Sequence, residues 1–188
     1  MKKTITILAA VAIASGIAAT SSCKKKSDDN MTPVTTQTLY DSLGGTAMVA
    51  DPSNSGQMIE QGRLGIRSVV DSTIFVIAAD TALNKFFPVL LSEVTAGNLS
   101  GFAALSKNLT DFFCVATGAK NFTYAGMDMV KAHDPAQNPR MNGKAGSADF
   151  DQFVADLVVG AKKVGLSDQL IGQVGAVVNT TRTQIVQK

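Results

Sequence analysis

The sequence predicts an all-α protein. From Leu39 onward apolar residues recur at intervals of three and four, and no alternating strand pattern longer than a few residues competes. Of 188 residues 45% are apolar, which is enough for one packed domain with an appendage and too much for a wholly disordered chain. Lys and Arg number 17 against 15 Asp and Glu, and without Lys2 and Lys3, which fall in a segment read below as removed, the balance is 15 against 15. Such a chain lacks the basic face that nucleic-acid binding needs. One histidine excludes a metal site built from several histidines, and two cysteines make no disulfide framework.

The chain opens with Lys2 and Lys3, continues with an uncharged run from Ile5 to Ala19, and passes through Thr20-Ser21-Ser22 to Cys23. A basic start, a short apolar run and a small-residue exit make a secretory signal, and the run is short for a membrane span. The ending resembles a bacterial lipoprotein cleavage site, with Thr20 where that site usually carries Leu. The resemblance implies that residues 1–22 are a signal peptide and that Cys23 is the lipidated first residue of the mature chain, anchored to a membrane of the cell envelope. Residues 23–38 hold Lys24 to Lys26, Asp28, Asp29 and a Thr-rich stretch around Pro33, and read as a flexible tether. Cys-Lys-Lys-Lys-Ser-Asp-Asp is similar to the start of mature Bacteroidetes lipoproteins, where acidic residues after the cysteine accompany surface display. The periplasmic face of the outer membrane is the alternative.

The helices follow in order. Ile66, Val69, Val70, Thr73, Ile74 and Ile77 form a stripe over residues 65–79, closed by Asp80, which can cap a short turn running to Phe87 before Pro88. Leu99, Phe102, Ala103, Leu105, Leu109, Phe112, Phe113 and Ala116 lie on a longer helix ending at Gly118, with Cys114 as a small buried apolar residue. A short helix spans residues 126–133. The clearest stripe is Phe150, Phe153, Val154, Leu157, Val158, Ala161 and Val164, with Ser147 as N-cap, Lys162 and Lys163 in the last turn and Gly165 as stop. Ser167 caps a final helix carrying Leu170, Ile171, Val174, Val177, Val178 and Ile185, and the short connection makes the last two helices an antiparallel hairpin. Residues 46–62 and 134–146 show no clear period and read as loops or short helices on the surface.

His133 stands out as the only imidazole, with Met129 four residues earlier on the same helical face. A His with a Met below it on a helical scaffold can be an axial haem ligand, although a lone His in a short helix is more often a surface or capping residue. The surrounding residues add to this. Leu39-Tyr40-Asp41-Ser42-Leu43-Gly44-Gly45, Val69-Val70-Asp71, Ala79-Asp80, Leu83, Phe86-Phe87, Phe112-Phe113 and Gly118 appear in the order found in group I truncated haemoglobins. The residues Tyr124, Gly126, Met129 and His133 match that family's Tyr-x-Gly-x-x-Met-x-x-x-His segment, and the chain resembles the family from Leu39 to about Val186.

The resemblance implies a truncated globin-like helical sandwich with an insertion of about sixteen residues between the first and second helices. It implies haem b, with His133 as proximal ligand to the iron, Phe87 against the porphyrin face, Tyr124 near the propionates and Met129 packed on the proximal side. The family's usual distal tyrosine falls on Ile74 and its glutamine on Leu109, with Leu105 facing the same pocket, so the distal side is expected to be apolar. Three functions remain open. One is a globin binding oxygen or another diatomic gas. Another is an enzyme of the same fold, such as a haem nitric oxide dioxygenase or one with peroxidase side activity, which would want a polar distal group. The third is a haem-free structural or interaction lipoprotein, which would leave His133 in solvent. His133-Asp134 makes no Ser-His-Asp triad, since no Gly-x-Ser-x-Gly elbow is present.

Overall fold

The computed structural model describes residues 37–188. The expectations for the signal peptide, for Cys23 and for nearly all of the tether lie outside the described residues. The elements are α1 (Leu39–Ser42), β1 (Met48–Ala50), β2 (Met58–Glu60), α2 (Gln61–Ala79), α3 (Pro88–Thr95), α4 (Ser100–Ala116), α5 (Met129–Ala132), α6 (Ser147–Lys163), α7 (Asp168–Asn179) and α8 (Arg182–Ile185). The all-α expectation holds, with one small sheet added. No described helix is long and apolar enough to cross a membrane.

A capping box starts α1. The Asp41 N–H donates to Thr38 Oγ1 at 3.1 Å while the Thr38 N–H donates to the Asp41 carboxylate at 2.9 Å. This turn seats Tyr40 in the core, where its hydroxyl donates to Glu60 Oε2 at 2.7 Å. Residues 46–62 then depart from the loop or short-helix expectation. They form an antiparallel hairpin with Val49 opposite Ile59, followed directly by α2. Strands of three residues are too short to print a period of two on the sequence. The turn between them is made by Asp51, whose carboxylate accepts from the Ser53 N–H and the Asn54 side chain. The hairpin also explains why α2 begins four residues ahead of Gly65 without a capping side chain. The Gln61 N–H donates to the Ala47 carbonyl at 2.7 Å and the Gly62 N–H to the Gly45 carbonyl at 2.9 Å, so neighbouring backbone serves the orphan donors of the first turn.

Helix α2 is the centre of the fold. It buries Ile66, Val69, Val70 and Ile74, and α4 and α6 pack across it. The α6 crossing is close. A Cβ at Gly160 would lie 2.8 Å from the Thr73 backbone, so glycine alone permits the approach. Phe150 and Leu157 of α6 are 1% and 3% exposed, and Ile171, Val174 and Val178 of α7 close the same core. Helix α4 ends in a Schellman motif at Gly118, φ 101°, with the Ala119 N–H on the Cys114 carbonyl; α6 ends the same way at Gly165.

Four more boundaries differ from the sequence expectation. Pro88 does not merely stop a turn: it occupies the first position of α3, where its missing N–H is no loss. The N-cap of α6 is Gly146, whose N–H donates to the Asp149 carboxylate at 2.8 Å, and Ser147 is the first helical residue. The expected helix over 126–133 shrinks to the single turn of α5, because Asp128 takes the cap position. The last helix stops at Asn179 and resumes as α8. Residues 134–146 are irregular as expected, and a second small cluster of Leu83, Phe86, Met141 and Ala145 packs beneath them.

Candidate functional site

Asp128 nucleates the turn that carries the histidine. Its carboxylate accepts from the Val130 and Lys131 N–H groups, and His133 is the residue that closes α5. One helical turn separates His133 from Met129, which brings imidazole Nδ1 to 2.8 Å from the Met129 carbonyl oxygen. A carbonyl only accepts, so Nδ1 carries the proton and, in the neutral ring, Nε2 keeps its lone pair. The ring is half-buried, and burial pushes its pKa below the usual histidine value against the opposing pull of the Met129 carbonyl. The turn is also held from outside. Gln187 Nε2 donates to the Val130 carbonyl at 2.8 Å, and the Gln187 N–H donates to the Ala145 carbonyl at 2.9 Å. Sequence reading missed Gln187, since no period or motif marks a residue whose role is one bond across 57 positions.

Ile74, Leu105 and Leu109 belong to one apolar core. Ile74 is 7% exposed in the main core, and the half-buried Leu105 and Leu109 of α4 pack against that same cluster. None of the three offers a hydrogen-bond donor. Next along this face, Phe112 meets Tyr124 edge-on, ring centroids 5.7 Å apart. The Tyr124 hydroxyl donates to the Met127 carbonyl at 2.7 Å, so its proton is engaged within its own chain and only its lone pairs remain. Phe87 lies half-buried against the second cluster, apart from Ile74, and Phe153 packs against both clusters. The Met129 side chain is half-buried beside the histidine turn.

These residues suit a planar apolar cofactor with one metal at its centre. They carry a single neutral nitrogen donor, on His133, and otherwise largely apolar side chains, and among the described residues the buried side-chain atoms left without a partner, Asp80 Oδ2, Thr110 Oγ1 and Asp156 Oδ2, belong to none of them. Among the described residues no group of three or more His, Cys, Asp and Glu could hold a bare metal ion. A separate apolar cavity of about 20 Å³ lies between α2, α4, α6 and α7, lined by Val69, Val70, Phe113, Leu157 and Val174 among others. It has room for one small molecule, and Thr117, its one polar lining residue, spends its hydroxyl proton on the Phe113 carbonyl.

No protein-family profile and no curated protein matches the chain. Solved structures match its fold. The truncated hemoglobin from Tetrahymena pyriformis in its Fe(III) form superposes with a TM-score of 0.56 at 22% identity, covering 81% of this chain and 100% of that one. The 2/2 hemoglobin from Synechococcus sp. PCC 7002, in the cyanomet state with covalently attached heme, gives 0.55 at 21% identity, covering 80% and 99%. The fold is that of the truncated globins.

Proposed function

We propose that this chain is a haem-binding globin of the group I truncated type, with His133 as the ligand to iron and oxygen or another diatomic gas as cargo. The observation that carries the reading is the bond from His133 Nδ1 to the Met129 carbonyl, which leaves Nε2 as the ligating atom. Haem b held there by His133 would supply an iron able to take a diatomic gas. The chain's residues do the rest. The Met129 carbonyl fixes the rotation of the imidazole and raises the basicity of Nε2. Phe87 and Met129 contribute apolar surface for the macrocycle, and Tyr124 stands at its edge. Ile74, Leu105 and Leu109 keep the gas side dry and give it no donor.

A cofactor-free structural lipoprotein would leave the imidazole in solvent, and the half-burial and the occupied Nδ1 speak for haem instead. No catalytic residue is assigned, because a dioxygenase would want a polar group among Ile74, Leu105 and Leu109. The test is the absorption spectrum of the purified protein supplied with haem. A Soret band lost in His133→Ala and restored by added imidazole is the expected result; an unchanged band in that variant sinks the assignment.

The proposal includes the anchor. Cys23 is lipidated after removal of residues 1–22 and holds the globin on the outer membrane, at the periplasmic or outer face. One acyl chain holds only marginally, so the full lipid complement is needed. Cys23→Ser should stall processing or release the protein, and unchanged acylation and fractionation of that variant would refute the claim.

A further inference from the structure

We propose that the cleft between the hairpin turn, α2 and α4 is a second binding site, for a small organic oxyanion that also carries a hydroxyl. The cleft holds about 350 Å³, and Ser53 and Asn54 of the hairpin turn form one wall of it. Three cations line it, Arg63 and Arg67 from α2 and Lys107 from α4. Their partners lie behind them. Asp51 takes Arg67 at 2.7 Å, and Asp111 takes both Arg63 and Lys107 at 2.7 Å, yet neither carboxylate lines the cleft. Buried carboxylates thus hold the two arginine side chains, each only 19% exposed: Arg67 spends one N–H of Nη1 and one of Nη2 on Asp51, and Arg63 spends one on Asp111 and one on Cys114 Sγ with its guanidinium over the Phe122 ring, which among the described residues leaves three N–H donors on each. A held guanidinium matches the planar acceptor geometry of carboxylate or phosphate.

Thr110 points to a ligand independently of these charges. It lines the cleft, is 1% exposed, and its Oγ1 is buried without any partner. A mid-helix threonine commonly turns its hydroxyl to the carbonyl four residues back, as Thr73 does here. Leaving a buried hydroxyl unmatched is unfavourable, and a ligand oxygen would satisfy it. Asp71 supplies the acceptor. One oxygen takes the Ser106 hydroxyl and among the described residues no cation pairs with it, so it selects a ligand that brings a hydroxyl as well as an anionic head. The Phe102 ring gives the ligand's carbon skeleton an apolar surface.

Isothermal titration of the protein at low ionic strength, with and without haem, tests this. Glycerate and glycerol 3-phosphate are the probes, one carboxylate and one phosphate, with chloride at matched ionic strength as control. Saturable single-site binding of one or both is expected, unchanged by haem. Thr110→Val, which is isosteric, should weaken it about fivefold, the loss of one hydrogen bond, and leave the ligand-free melting temperature unchanged or higher. Lys107→Met should also weaken it, because Arg63 still pairs Asp111 there and the fold is kept. Absence of saturable binding by both probes overturns the proposal. So does wild-type affinity in both variants, or a chloride response equal to that of the probes.

Discussion

On the proposed reading the chemistry turns on His133 and Ile74. The folded state holds the imidazole below its ordinary pKa, so the unfolded chain binds the proton first as the pH falls. The contribution is therefore intact above about 6.5 and is lost as the pH drops from there through the folded value. Urea melts of the haem-free protein at pH 7.5 and 5.5 should show this loss, and His133→Phe should flatten it; equal slopes would place the ring in solvent. On the opposite side, Ile74→Tyr introduces a phenol donor where three apolar side chains offer none. A bond to oxygen worth roughly 1.4 kcal/mol slows its release by about tenfold, with carbon monoxide, less polar when bound, affected much less. Stopped-flow release from both proteins measures it, and unchanged rates would mean that Ile74 points elsewhere.

Elements show which local rules competed. The stripes of α2, α4, α6 and α7 were legible because each helix runs for more than three turns and buries one face. The hairpin was not, and α5 was legible only as a longer helix over 126–133, because three or four residues carry no period and their bonds run to Gly45, Ala47 and Gln187. His133 and its Met129 partner follow from helical spacing, whereas its clamp is purely tertiary. At the α2–α6 crossing, Gly160→Ala drives a Cβ into the Thr73 backbone and should cost about 1–3 kcal/mol, read from the urea midpoint. Farther along the same contact, Asp156 is 5% exposed; burial, then the nearby Asp80 charge, raise its pKa. Among the described residues neither Asp80 Oδ2 nor Asp156 Oδ2 has a hydrogen-bond partner. The folded state binds that proton first, so stability should rise as the pH falls through the raised value toward 3.8. Asp156→Asn should raise stability at neutral pH and remove that rise; a less stable variant at pH 7 contradicts it.

For the whole molecule, haem bound to the folded state alone acts on the global melting equilibrium. At a thousandfold excess over its dissociation constant it adds about 4 kcal/mol, a rise of about 8–16 °C for a chain of this size. Calorimetry should show that rise in the wild type and its loss in His133→Ala. Val174→Asp should abolish the transition altogether by placing an unpaired charge in the α6–α7 core. One further consequence concerns time. Ribosomes deliver residue 133 well before residue 187, and until Gln187 arrives the Val130 carbonyl and the Ala145 carbonyl have no partner from that side. The imidazole's seat is thus completed only after residue 187 has been made, and on the proposed reading cofactor capture waits for that residue.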